Sequence, residues 1–144
     1  ATLPSAGPAT ARATPVVTVA ERYVSPEQPA EELDSLATWP APDGRTWLIA
    51  TAKSTHRLVV FDADTGVRLR DVGAEGTAAG QFDRPNGIAV HGDRVFVVER
   101  DNRRVQVLSL PEFTPLASFG QDVLRSPYGI WLTETEPGEL ELYV

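Results

Sequence analysis

Short apolar runs separated by turn-forming residues recur along this chain. Between residues 80 and 110 three runs occur, at 88–90, 95–98 and 105–110, and Gly, Asp, Asn or Arg bounds each of them. Runs this short and rich in β-branched residues are typical of strands in an antiparallel meander. A further run at 115–119 completes a set of four, so we predict a four-stranded antiparallel sheet in this region.

The same arrangement precedes it. An extended segment is predicted at Val16–Val24, and four strands are predicted at 36–39, 47–51, 57–61 and 67–72. Proline, glycine and aspartate fill the intervening segments and indicate turns.

Matching residues in the two sets are almost equally far apart. Trp47 aligns with Val95 at 48 positions, and Arg57 aligns with Arg104 at 47. The Pro-x-Gly-Ile sequence at 85–88 recurs 42 positions later. A four-strand unit repeating every ~40–50 residues is typical of a β-propeller blade. We therefore predict an all-β chain, an incomplete β-propeller of about two and a half four-stranded antiparallel blades.

The predicted organisation has a leader and a partial ring. Residues 1–20 are expected to be a flexible leader rich in Ala, Pro and Thr, and residues 21–144 a partial β-propeller. The blades are predicted at about 34–73, 84–120 and 126–144, the last one truncated. Because closed propellers have about four to eight blades, we expect the remaining blades of a longer protein, or another copy of the chain, to complete the ring.

Composition limits the classes of partner. The 144 residues carry a formal net charge of −7 and include no cysteine. This acidity argues against nucleic acid, whose phosphates require a basic face, and is compatible with cation binding by carboxylates. No apolar run approaches the ~18 residues that span a bilayer. The leader composition predicts an exported protein, periplasmic or extracellular.

Two sequence stretches resemble NHL-repeat β-propellers. Residues 80–90 read Gly-Gln-Phe-Asp-Arg-Pro-Asn-Gly-Ile-Ala-Val, and residues 101–107 read Asp-Asn-Arg-Arg-Val-Gln-Val. This resemblance covers one full repeat and implies the propeller architecture, with little information about function.

A second resemblance, to β-propeller phytases, runs from residue 34 to residue 108. Residues 34–39 (Asp-Ser-Leu-Ala-Thr-Trp) resemble the opening motif of that family, and residues 47–54 followed by 58–61 resemble its second and third strands. The resemblance implies a calcium-dependent phosphomonoesterase of the 3-phytase type that acts on inositol hexakisphosphate. In that family bridging calcium ions activate a water for in-line attack.

The same resemblance implies roles for four residues. Lys53 and Arg100 match the Lys and Arg that line the family's cationic phosphate site, which makes a phosphorylated small molecule such as an inositol phosphate the expected ligand. Asp34 and Glu99 are predicted calcium ligands, since this chemistry needs carboxylates to hold the metal. Solvated charges at strand ends are the competing interpretation of Lys53 and Arg100.

The chain also departs from the phytase pattern. Ser35 and Leu36 stand where the family's opening motif has Asp and Pro. This departure favours the alternative function, a non-enzymatic NHL-type propeller that binds a protein or saccharide partner. The tryptophans Trp39, Trp47 and Trp131 fall at strand positions, and packing between blades is the expected role of all three.

Overall fold

A computed structural model describes residues 13–144 of the protein, and these residues form an all-β structure. Each strand follows one of the short apolar runs and ends at a turn. The ten strands are β1 Leu33–Pro40, β2 Thr46–Ala52, β3 Arg57–Asp62, β4 Arg68–Val72, β5 Pro85–His91, β6 Arg94–Glu99, β7 Arg104–Ser109, β8 Pro115–Phe119, β9 Trp131–Glu136 and β10 Glu139–Tyr143.

The strands form three antiparallel sheets in chain order. Blade 1 has the order β1-β2-β3-β4, blade 2 has the order β5-β6-β7-β8, and blade 3 consists of the pair β9 and β10. The predicted fold class, an incomplete propeller of four-stranded antiparallel blades, is confirmed. The sheets fit a propeller-like fold.

The first strands of the blades lie closest to the propeller axis. β1 contacts β5, and β5 contacts β9, whereas the fourth strand β4 reaches blade 2 through side chains, with Arg70 stacked over the Phe113 ring at 4.9 Å. We call the blade edge that carries turns 53–56 and 100–103 the upper rim, and the opposite edge the lower rim. β1 and β5 both begin at the upper rim, so the first residues of these two innermost strands lie at the same rim.

Neighbouring residues of a strand face different blades. Ile49 of blade 1 and Val97 of blade 2 belong to one buried core. Phe96 and Val107 lie on the opposite face of blade 2 and pack against Leu140 of blade 3. This alternation, which follows from the two-residue period of a strand, lets one sheet bury apolar side chains against two neighbours.

The strand registers correct one feature of the predicted repeat. Trp47 pairs with Asp62 in blade 1, and Arg94 pairs with Ser109 in blade 2. Both pairs are related by 47 positions, so Trp47 corresponds to Arg94, and its alignment with Val95 was wrong by one residue. Because Trp47 and Val95 are both apolar, the sequence alignment did not reveal this shift. A register shift of one residue moves a strand side chain to the other face of the sheet.

Backbone conformation repeats with the same spacing even where the residue type does not. His56 and Arg103 adopt φ values of 54° and 52° in equivalent upper-rim turns. Glu32 and Arg84, which directly precede β1 and β5, have φ values of 46° and 50°. Left-handed backbone is uncommon for residues other than glycine, so its recurrence shows that the blade imposes these turns.

Two expectations differ from the structure. The predicted extended segment Val16–Val24 has no assigned strand, because no backbone hydrogen bonds join it to the rest of residues 13–144. As expected, Trp39 is buried in the core shared by blades 1 and 2 and Trp47 stacks on Phe113 of blade 2 at 6.3 Å, but Trp131 is 60% exposed. Its neighbour in space is Tyr143 on β10, 5.3 Å away between ring centroids. The adjacent Leu132 packs against blade 2, so Trp131 lies on the opposite face of blade 3, which no other blade among the described residues covers.

Residues 1–12 of the predicted leader lie outside the described residues, and residues 13–20 form no strand. None of the described residues belongs to a helix long and apolar enough to cross a membrane.

Candidate functional site

The two predicted phosphate ligands occupy equivalent places in adjacent blades. Lys53 follows Ala52, whose partner in the second and third strands is Arg57, and Arg100 follows Glu99, whose partner is Arg104. Both side chains therefore start from the upper rim, one blade apart.

Lys53 lies against the predicted metal ligand Asp34. The Lys53 Nζ is 3.7 Å from Asp34 Oδ1, and the Lys53 side chain is 20% exposed. The hydroxyl of Tyr128, from the segment that leads into blade 3, donates to the same Asp34 oxygen at 3.4 Å. The other oxygen, Asp34 Oδ2, is buried and has no hydrogen-bond partner among the described residues. Asp34 is thus contacted by the Lys53 ammonium group of its own blade and by the Tyr128 phenol from the segment that leads into blade 3.

Arg100 is held by the next residue in the chain. Its Nε and Nη2 donate to the two carboxylate oxygens of Asp101 at 2.7 and 3.0 Å. This hydrogen bonding raises the pKa of Arg100 and lowers the pKa of Asp101. An external anion would therefore have to compete with the Asp101 carboxylate for the Arg100 guanidinium.

A third cationic residue, Arg84, has its backbone hydrogen-bonded to both upper-rim turns. Its backbone carbonyl accepts from Arg100 N at 3.1 Å, and its backbone amide donates to His56 Nδ1 at 3.1 Å. No carboxylate lies within 4.0 Å of the Arg84 guanidinium among residues 13–144, and its buried Nε has no hydrogen-bond partner there. Arg84 was not predicted from the sequence as a site residue, because the lack of a carboxylate partner among the described residues depends on distances that only the structure gives.

Glu99, the second predicted metal ligand, is surrounded by protein donors. Its Oε1 accepts from Arg104 Nε and Gln106 Nε2, both at 2.6 Å. Its Oε2 accepts from Asn102 Nδ2 at 2.6 Å and from the Asp83 amide at 2.9 Å. Since Glu99 is fully buried and both oxygens are occupied, its contacts assign it to the architecture of blade 2.

The same cluster fixes the loop that joins blade 1 to blade 2. Arg104 donates to the carbonyls of Thr77 at 2.7 Å and Gln81 at 2.9 Å. Gln106 accepts from the Gly80 amide at 2.9 Å. Side chains of residues 102–106 therefore link the inter-blade loop to the buried Glu99 carboxylate through one hydrogen-bond network.

The described residues do not by themselves fit a calcium ion. Among residues 13–144 no group of three or more His, Cys, Asp or Glu side chains is arranged to hold a metal. Asp34 forms an ion pair with Lys53, and the Glu99 carboxylate is occupied by an ion pair with Arg104 and by further hydrogen bonds. Since Ca²⁺ takes six to eight oxygen ligands, the rest of such a site would have to come from elsewhere.

The positions nearest the axis repeat through all three blades. The bulges of β1 and β5 place Asp34 and Asn86 at equivalent points, and Tyr128 occupies the matching place in the Pro-x-Gly-Ile sequence of blade 3. Asn86 is fully buried, and neither of its side-chain polar atoms has a partner among the described residues. A carboxylate, an amide and a phenol thus line the upper axial end of the blades.

Comparisons with known proteins support the architecture. No family model matches the sequence, and no curated protein sequence matches it. Among solved structures the chain is similar to hydrazine synthase from Kuenenia stuttgartiensis, with 21% identity and a TM-score of 0.51. The match covers 75% of this chain and 27% of that one. At this identity the similarity shows the fold alone, so the chain belongs to the class of propeller-like all-β proteins.

Proposed function

We propose that this chain is part of a β-propeller that binds a phosphorylated small molecule, such as an inositol phosphate, at its upper rim. The observation that carries the proposal is the presence of three cationic side chains from two adjacent blades, Lys53, Arg84 and Arg100, at one rim. Arg and Lys side chains bind phosphate through strong charge-assisted hydrogen bonds.

The three cations differ in how readily they can take up an anion. Arg84 has no carboxylate within 4.0 Å among the described residues, so it is the first expected contact. Lys53 has one at 3.7 Å, a long separation that leaves ammonium donors available. Arg100 must exchange its two bonds to Asp101 for bonds to the ligand. We therefore rank their contributions in the order Arg84, Lys53, Arg100.

The enzymatic form of the proposal is a calcium-dependent phosphomonoesterase acting on inositol hexakisphosphate. It rests on the resemblance of residues 34–108 to β-propeller phytases and on the matching places of Lys53 and Arg100. Bound calcium would neutralise phosphate charge and supply an activated water. The residues of this chain would contribute by binding and orienting the phosphate.

The non-enzymatic alternative, a propeller that binds a protein or saccharide, has its own support. Both predicted metal ligands already have protein cations as partners, Asp34 with Lys53 and Glu99 with Arg104. Ser35 in place of the family's second Asp points the same way.

One experiment on the full-length protein distinguishes the enzymatic from the non-enzymatic proposal. Calorimetric titration with inositol hexakisphosphate measures binding, and phosphate release is assayed with calcium and with a chelator. Release that depends on calcium supports the enzyme, and binding without release supports a phosphate-binding propeller that has no such activity, whereas a propeller specific for a protein or saccharide would bind no inositol hexakisphosphate. Absence of binding under both conditions overturns the proposal.

A matched pair of variants locates the site. Lys53→Gln removes a proposed contact, whereas Arg45→Gln removes an exposed cation at the lower rim that pairs with Asp43. We expect weaker binding only for Lys53→Gln. Equal affinities of both variants and the parent would remove Lys53 from the site.

A further inference from the structure

His56 joins the upper-rim turn of blade 1 to the segment that enters blade 2. Its Nδ1 accepts a hydrogen bond from the Arg84 amide at 3.1 Å and lies 3.2 Å from Asp83 Oδ1. The side chains of His56 and Asp83 are both partly exposed. One imidazole nitrogen thus lies within hydrogen-bond distance of a donor and of a carboxylate acceptor.

The two contacts of His56 Nδ1 belong to different protonation states of the imidazole. A neutral imidazole whose Nδ1 accepts a hydrogen bond carries its proton on Nε2, so it has no proton to share with Asp83. A charged imidazole has a proton on Nδ1, which can donate to the Asp83 carboxylate but can no longer accept from the Arg84 amide. Protonation of His56 therefore frees a backbone N–H at the proposed phosphate site.

The upper-rim turn itself does not require a histidine. Arg103 occupies the equivalent position of blade 2 with almost the same φ, 52° against 54° for His56, and its side chain is exposed. The left-handed backbone is therefore a property of the blade. The link to Asp83 and Arg84, by contrast, depends on the imidazole.

Charged groups from blade 2 lie near this link. The hydrogen bond from Arg100 lowers the pKa of Asp101, and the charges of Arg84 and His56 add to the effect. The hydrogen bond from Asp101 raises the pKa of Arg100, and the Asp83 charge contributes. The imidazole thus shares one electrostatic environment with two arginines and two carboxylates.

On the blade 1 side of His56, the neighbouring cations already have carboxylate partners. Lys53 lies 3.7 Å from Asp34. Arg57, the next residue after His56, pairs with Glu31 and Asp71. Neither cation is therefore an unmatched charge beside the imidazole.

Carboxylates balance the cations of the upper rim. The hydrogen bond from Ser54 lowers the pKa of Glu32, and the charges of Lys53 and Arg84 contribute to this shift, so Glu32 belongs to the same cluster. The cluster contains three cations and four carboxylates, a formal charge of −1, from Lys53, Arg84, Arg100, Glu32, Asp34, Asp83 and Asp101. Because histidine is the side chain whose charge ordinarily changes near neutral pH, His56 is the group through which pH can neutralise this cluster.

We propose that His56 regulates the phosphate site by pH: its protonation moves the imidazole hydrogen bond from the Arg84 amide to the Asp83 carboxylate and leaves that amide free to donate to a phosphate oxygen. This inference rests on the phosphate-binding function proposed above. Added positive charge and a free backbone amide both favour an anion. We therefore expect the contribution of His56 to phosphate binding to increase as the pH falls through the histidine range, from about 8 to about 5.

Nuclear magnetic resonance of the full-length protein without ligand tests the exchange of partners. With histidine and arginine isotopically labelled, the imidazole nitrogens report protonation and the Arg84 amide proton reports its hydrogen bond. We expect both signals to change together with pH. In His56→Asn the Arg84 amide should stop responding, because asparagine tolerates the left-handed backbone and takes up no proton in this range. An Arg84 amide signal that stays constant while the imidazole of the parent protein is protonated would overturn the proposal.

Calorimetric titration with inositol hexakisphosphate at about pH 5.5 and about pH 7.5, within the histidine range, measures the effect on binding. His56→Asn retains the pH dependence of the ligand's own phosphates. His91→Asn is the matched control, because His91 lies at the lower rim, 3.8 Å from Glu134. We expect the ratio of the affinity at the lower pH to that at the higher pH to be about tenfold larger in the parent and in His91→Asn than in His56→Asn, the effect of about one charge-assisted hydrogen bond.

The outcomes separate the role of His56 from the proposed function. Binding with equal affinity ratios in the parent and in His56→Asn overturns the regulatory role alone. Absence of binding at both pH values overturns the phosphate-binding function, and the role of His56 at that site falls with it.

Discussion

Arg104 Nε donates a 2.6 Å hydrogen bond to Glu99 Oε1 across strands β7 and β6. The two side chains are only 7% and 0% exposed. The carboxylate also binds Gln106 and Asn102, and the guanidinium binds carbonyls of the loop between blades. A buried pair with every partner satisfied fixes geometry, and removal of one member leaves an uncompensated charge.

We expect Glu99→Ala to destabilise the protein by about 3–5 kcal/mol, the range for breaking a buried ion pair. The stranded Arg104 guanidinium and the loss of the Asp83 and Asn102 contacts are the cause. Urea denaturation would measure the change. Arg103→Asn is the control, because Arg103 is exposed and asparagine tolerates its φ of 52°. Similar midpoints for both variants would show that the pair is not needed for stability.

Gly87 allows adjacent blades to approach at the axis. A Cβ on Gly87 would lie 2.7 Å from the Tyr128 carbonyl oxygen and 3.1 Å from Gly129 backbone atoms. We expect Gly87→Ala to cost about 1–3 kcal/mol, since backbone must shift to admit the methyl group. Gly129→Ala is the matched control, as nothing lies within 4 Å of its Cβ position. Equal thermal stability of the two variants would contradict this close approach.

Thr51 joins the first strands of blades 1 and 2. Its Oγ1 donates to the Asn86 carbonyl at 2.7 Å and accepts from the Ser35 amide at 3.0 Å. Thr51→Val keeps the shape and removes both bonds, and we expect a loss of about 1–3 kcal/mol from the groups left unpaired. The same change at the exposed Thr38 of β1 should be nearly neutral. A calorimetric Tm for each variant checks the difference.

The pKa of Glu31 gives a pH-dependent stability. Burial raises this pKa, but hydrogen bonds from Thr55, Arg57 and Arg68 outweigh it and lower the value from 4.5 to about 2. Because the folded-state pKa lies below the unfolded one, the stabilisation is complete above pH 4.5 and is lost as the pH falls toward 2. Glu31→Gln should therefore flatten the dependence of the urea midpoint on pH in this window. An unchanged slope would exclude Glu31 as its source.

Arg84 and Arg100 provide a test of the ranking at the upper rim. We expect Arg84→Gln to weaken binding of inositol hexakisphosphate about tenfold, and Arg100→Gln to weaken it less. The reason is that Arg100 gives up its bonds to Asp101 to bind ligand. Titration calorimetry at two salt concentrations would measure both variants, since charge contacts weaken with ionic strength. A larger loss for Arg100→Gln would reverse the ranking.

The strands were largely predictable because each one is a short β-branched run closed by a turn. β8 begins and ends where the sequence predicted, at 115 and 119, and the other strands of blades 1 and 2 differ by a few residues at their ends. The exposure of Trp131 was not predictable, because it depends on whether another blade covers the face of blade 3 turned away from blade 2. The true partner of Trp47 in the repeat was hidden by a chance apolar match with Val95.

The candidate site shows the same division. The spacing of Lys53 and Arg100 predicted equivalent positions in adjacent blades. The sequence could not reveal that Asp34 and Asp101 already neutralise them. Nor could it show that Glu99 is enclosed by Arg104, Gln106 and Asn102. Their metal and phosphate roles stay predictions.

The sequence by itself determined the all-β class, the four-strand repeat and the incomplete ring, because strand period and turn chemistry are local properties of the chain. Only the tertiary structure decided which charges are free and which are paired. Arg84 and Asn86, for which no site role was predicted from the sequence, have polar atoms without partners among the described residues, whereas both carboxylate oxygens of Glu99 accept hydrogen bonds. Charge pairing depends on distances between strands far apart in the chain, and those distances exist only after the blades pack together.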